Sequence, residues 1–157
     1  MRNLAVFGLV LLGACSAAVD VSTGLQRVEL RDEFCGAAQT SCTHLETQVV
    51  DFDGGLFERH TCVEGVDGGS AAWGPFRGDS IESKTLSAAQ LAQVRQAVAG
   101  LQLEPATLEF LDGAMSEVVV TTGTQVKSAS PGAACGPQHY ERVVGGYQPL
   151  DALLRSF

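Results

Sequence analysis

One helix start, set among segments of strand character, constrains the fold more than any other feature of this chain. In Ser87-Ala88-Ala89-Gln90 the serine hydroxyl can accept from the backbone N–H three residues on, while the glutamine reaches back to the serine N–H. Leu86 and Leu91 stand where a hydrophobic staple needs apolar side chains. Leu91, Val94, Val98 and Leu101 then recur on one face at helical spacing. Gly100 supplies a stop and Pro105 follows shortly, so the pattern predicts a helix from Ala88 to about Ala99.

Around that helix the chain reads as strands. His44–Asp53 is rich in Thr, Val and Phe, Asp53-Gly54-Gly55 offers a tight turn, and Leu56–Val63 returns as partner. A two-residue loop at Gly54-Gly55 would set Cys62 opposite Thr47 and away from Cys42. Residues 64–78 form a glycine-rich connection in which Trp73 and Phe76 are candidate adhesive side chains, since large aromatics dominate binding hot spots. Asp79–Thr85 is a third strand. Met115–Thr122 and Gln125–Ser130 make a second hairpin, and Pro149 suits the first turn of a final helix bearing Leu150, Leu153, Leu154 and Phe157. Strands, helix, strands, helix is an α+β order. The expected architecture is a small, mostly antiparallel sheet of two hairpins with one central helix and a short C-terminal helix.

The first fifteen residues carry a different message. Met1-Arg2-Asn3 bears one positive charge and gives way to an apolar run from Leu4 to Leu12. That run is too short for the roughly 20 residues that a membrane span requires, and it has the anatomy of an export signal. Leu12-Gly13-Ala14-Cys15 resembles the lipobox of bacterial lipoproteins, in which a leucine and two small residues precede a cysteine. The resemblance implies cleavage before Cys15, lipid on its thiol and anchorage in a membrane. Ser16, where an aspartate would imply retention in an inner membrane, implies the outer membrane, facing periplasm or surface. The chain then divides into a signal at 1–14, a lipidated cysteine with tether at 15–32, and one α+β domain at 33–157.

Export would place the remaining cysteines, Cys35, Cys42, Cys62 and Cys135, in an oxidising compartment, where an even number reads as two disulfides. Three pairings are open. Cys35–Cys42 with Cys62–Cys135 is favoured, because the long second loop removes the most unfolded-state entropy. No Cys-x-x-Cys or His-Glu-x-x-His spacing accompanies them, so neither metal nor cofactor is expected.

The whole chain carries a formal charge of −8, and loss of Arg2 with the signal makes the remainder one unit more negative. Such a surface repels nucleic acid, which is excluded as a partner. No nucleophile elbow, phosphate loop or dinucleotide fingerprint is present. The expected function is a non-catalytic binding or structural domain of the cell envelope, with an envelope protein as its partner. Gly54-Gly55-Leu56-Phe57 together with Leu86-Ser87 and Gln90-Leu91 also resembles emfourin-type inhibitors of thermolysin-like metalloproteases. That resemblance implies protein binding through exposed loops and gives protease inhibition as the alternative. An envelope hydrolase with an unrecognised carboxylate pair ranks below both.

Overall fold

The computed structural model describes residues 17–20, 24–35, 44–62, 79–107, 113–123, 125–132 and 139–157. In chain order these form β1 (Ala17–Ala18), β2 (Leu25–Cys35), β3 (His44–Asp51), β4 (Leu56–Cys62), β5 (Asp79–Thr85), α1 (Ala88–Ala99), β6 (Gln102–Thr107), β7 (Gly113–Thr122), β8 (Val126–Ser130), β9 (His139–Gly145) and α2 (Tyr147–Arg155). All nine strands belong to one sheet, ordered β1-β6-β9-β8-β7-β2-β3-β4-β5. Every pairing is antiparallel except β8 with β9, which is parallel.

This corrects the expected fold class. The chain is dominated by a single mixed sheet, and the two hairpins are joined at its centre. The joint is β2, which pairs with β3 on one side and with β7 on the other, from Leu25 opposite Thr122 to Cys35 opposite Gly113. Residues 15–32, read as a tether, thus contain β1 and most of the central strand. The physical reason lies in the alternation of β2. Val28 and Leu30 are buried toward the helices, while Glu29 is buried on the opposite face among arginines. A strand covered on both sides belongs in a sheet interior, whatever its charge.

The helices lie on one face, and their contacts draw the two ends of the sheet toward each other. Helix α1 joins β5 to β6, which are seven inter-strand steps apart, about 34 Å in a flat sheet. Twelve helical residues reach only about 18 Å. Helix α2 leaves β9, yet Phe157 just beyond it packs edge-on against Phe57 of β4, with ring centroids 5.5 Å apart. The concave side therefore closes on both helices. Val28, Leu30, Val50, Phe57, Val118, Val120, Ala129 and Val143 of the sheet form one core with Val94, Val98, Leu150 and Leu154. Each such aliphatic side chain contributes roughly 1.5–3 kcal/mol when fully buried.

The helix start behaves as its sequence predicts. Ser87 caps α1, its hydroxyl accepting from the Gln90 N–H while Gln90 Oε1 accepts from the Ser87 N–H at 2.9 Å. Ser87→Ala should lower unfolding stability by about 1 kcal/mol. Ser87→Asp should restore most of it, as read from urea midpoints.

The first hairpin departs from its expected turn. Asp51 pairs with Leu56, so the loop holds four residues, with the Asp51 carboxylate accepting from the N–H groups of Asp53 and Gly54. Phe52 is buried beneath Arg95, whose guanidinium stands 4.6 Å from the ring centroid. Burial of Phe52 explains the longer loop: the side chain leaves the strand to join the core. Cys62 consequently falls level with Leu45 rather than Thr47, a two-residue shift that preserves every side-chain face.

Neither favoured bridge, Cys35–Cys42 or Cys62–Cys135, has both of its cysteines among the described residues, which contain no disulfide; the pairing whose two cysteines are both described is Cys35–Cys62. Cys35 and Cys62 end β2 and β4, which are separated by β3. Two strand spacings put their Cα atoms about 10 Å apart, beyond the roughly 7 Å that a bridge spans. Cys42 and Cys135 lie outside the described residues. What holds the two halves together here is the β2–β7 ladder and the core beneath it.

Candidate functional site

Of the side chains singled out from the sequence, Cys15, Trp73 and Phe76 lie outside the described residues. Cys35 and Cys62 are placed only as strand ends. The structure instead gathers charged groups into two assemblies, one on each face of the central strands.

The first lies on the convex face, where residues opposite the core alternate with it. Arg31 donates to Glu29 Oε2 through Nε at 2.9 Å and Nη2 at 2.7 Å, and through Nη1 to Glu117 Oε2 at 3.3 Å. Arg27 Nε stands 2.7 Å from the other Glu29 oxygen, and Ser128 donates its hydroxyl to the other Glu117 oxygen. Register places these groups together, because Glu29 lies opposite Val119 and Arg31 opposite Glu117. The carboxyl side chains are only 11% and 10% exposed, so their pairing decides whether they can be there at all. Burial works to lower the Arg31 pKa, but the hydrogen bond and charge of Glu29, and then those of Glu117, outweigh it and hold it above its ordinary value.

Two acids this close are the arrangement that hydrolytic chemistry uses. Here all four oxygens are engaged by protein donors, and a guanidinium fills the place that a substrate oxygen or water would need. The assembly is an ion-paired seam. Beyond it, His60 Nε2 lies 3.4 Å from Glu58, and Ser83 donates to the same carboxylate at 3.4 Å. A base-activated serine needs the histidine in the middle, and in this trio the glutamate is in the middle.

The second assembly lies under the end of α2. Arg155 reaches Asp151 at 2.9 Å, Asp32 at 3.4 Å and Glu46 at 3.5 Å. Arg59 meets Glu46 and Glu82 and also donates to the backbone oxygens of Leu154 and Arg155. Lys84 donates to the main-chain oxygen of Phe157 at 3.2 Å. Cations therefore gather at the last carbonyls and the negative dipole end of the helix, and the docking of α2 across β2 to β5 is electrostatic as well as apolar. The hydrogen bond to Asp151 leads in raising the Arg155 pKa, burial opposes it, and the charges of Asp151, Glu46 and Asp32 add to the rise.

Tyr147 is bonded to Ser116 at the base of this assembly, and Ser116 donates to Asp32 at 2.7 Å. Burial raises the Tyr147 pKa above 10.0, the bond to Ser116 counters it, and the carboxylates of Asp151 and Asp32 add to the rise. A raised pKa means that the folded chain holds the phenolic proton more tightly than the unfolded one. This contribution is complete below the unfolded value near pH 10 and is lost as pH rises through the folded value. Tyr147→Phe should therefore flatten the decline in urea midpoint between pH 9 and 11 relative to the parent protein. Parallel curves would show that the phenol does not sense its surroundings.

Gln48, 2% exposed, donates to Glu46 at 2.6 Å while its Oε1 is buried with no hydrogen-bond partner. Its amide orientation is fixed, since the reverse would set oxygen against carboxylate. Among the described residues no group of three or more His, Cys, Asp or Glu is placed to hold a metal ion. These clusters escaped the sequence because each member looks like an ordinary surface charge. The available signal was the alternation Arg27-x-Glu29-x-Arg31 interleaved with Val28-x-Leu30. No family model, curated protein or solved structure matches the chain.

Proposed function

We propose that the protein is a lipid-anchored lipoprotein of the bacterial cell envelope whose folded domain binds or scaffolds rather than catalyses. The observation that carries the anchor is Leu12-Gly13-Ala14-Cys15 closing the apolar run after Arg2. Two features support the non-catalytic half of the reading. The acids brought together on the sheet are committed to arginines within the fold, and the sole serine–histidine neighbourhood described has its glutamate in the wrong place for nucleophile activation. Ser16 directs the anchor to an outer membrane, where an envelope protein is the partner.

The test is the intact mass of the protein extracted from its native membrane. Loss of residues 1–14 together with a lipid-sized increment mapping to Cys15 is the expected result. An unlipidated mature chain in the soluble fraction would remove the basis of the proposal.

A further inference from the structure

We infer that the folded domain sits directly on the lipid surface, with the β1–β6–β9 corner against the headgroups. This inference rests on the lipid anchor at Cys15. The sheet begins almost at once after that residue: Ala17 pairs with Leu103 and Ala18 with Gln102. Val19 follows into the core at 5% exposure, and its N–H donates to the Leu101 oxygen at 3.3 Å. A chain advances at most about 3.6 Å per residue, so the Cys15 Cα lies within roughly 7 Å of Ala17. The polar layer on one side of a bilayer is about as thick. A domain tied this closely cannot stand off on a tether.

The surface at that corner fits such a contact. Its exposed large apolar side chain is Val144 of β9, 44% exposed, which lies two strand spacings, about 10 Å, from β1. Arg142 stands opposite Glu104 across the β6–β9 pair, and Lys127 of the neighbouring β8 is 3.5 Å from Glu141, so both carboxylates of these two strands have a cation beside them. The occupant is the headgroup surface of the leaflet that holds the acyl chains. At the other end of α1, the turn carrying Asp53 is held away from that surface by the length of the helix, about 18 Å.

The experiment uses the full chain, matured and reconstituted into vesicles of phosphatidylethanolamine and phosphatidylglycerol. An environment-sensitive fluorescent residue is placed at position 144 or at position 53, and quenching by lipids brominated near the headgroup is compared. Quenching at 144 should be several times that at 53. A ten-residue Gly/Ser insertion between Ser16 and Ala17 should abolish the difference. A label at position 142, exposed on the same strand, repeats the measurement if one at 144 disturbs the fold. Lipidated protein with equal quenching at both positions overturns the inference and leaves the anchor standing. Protein without lipid on Cys15 overturns the anchor, and the inference falls with it.

Discussion

Gly146→Ala should lower unfolding stability by about 3–5 kcal/mol, whereas Gly24→Ala should cost only about 1 kcal/mol. Both glycines hold positive φ, +84° and +85° respectively, and an L-residue in that region pays roughly 1–2 kcal/mol. The difference lies in their surroundings. Nothing stands within 4 Å of a Cβ built on Gly24, while one built on Gly146 would overlap the Gly100 carbonyl oxygen, with Gly100 C at 2.7 Å and Leu101 Cα at 2.9 Å. Those are backbone atoms at the end of α1, so no rotamer change relieves the contact. Strain and displaced packing together reach roughly 3–5 kcal/mol, a large part of a typical domain's 5–15 kcal/mol. Urea unfolding of the two variants, in parallel with the parent, checks the contrast. A shared, small shift would mean that the α1 end and the α2 start do not meet as described.

The second large effect concerns the anchor. Cys15→Ala should move the protein from the membrane to the soluble fraction and abolish the lipid mass increment, with no change in the thermal unfolding of detergent-free domain. Each buried methylene contributes about 0.8 kcal/mol to membrane binding, so removing two or more acyl chains shifts partitioning by many orders of magnitude. No surface substitution in the domain could match that. Among the described residues no helix is long and apolar enough to cross a bilayer. Persistence of the variant in washed membranes would show that protein contacts, rather than lipid, hold the chain there.

What the sequence made legible was local chemistry. The bounds of α1 follow from Ser87, Gln90 and Gly100, because capping is decided by neighbours in the chain. The hairpin strands β3, β4, β7 and β8 follow from runs of β-branched residues flanked by turns. Illegible elements were those whose environment is set by distant partners. Strand β2 alternates charge with aliphatic residues and resembles a solvated edge until Glu117 and Val119 are known to lie beside it. Strand β6 contains Pro105, which argues against a central strand. It is tolerated where β6 has run past the two-residue β1, so that among the described strands it has a neighbour on one side only. The parallel β8–β9 pair carries no local signature at all. The charged assemblies were hidden for the same reason: Arg31 meets Glu117 across 86 positions and Arg155 meets Asp32 across 123.

The central pairing of β2 with β7 also bears on when the chain can fold. Strand β2 begins at Leu25, but its partner begins at Gly113, and the fully buried Leu150 and Leu154 come later still. Contacts of such sequence separation form slowly, since a long loop must close before they contribute. A chain drawn through a membrane pore from its N-terminus therefore has no core to close until nearly all of it has emerged. For the exported lipoprotein proposed above, this topology would hold back closure of the core until most of the chain has crossed.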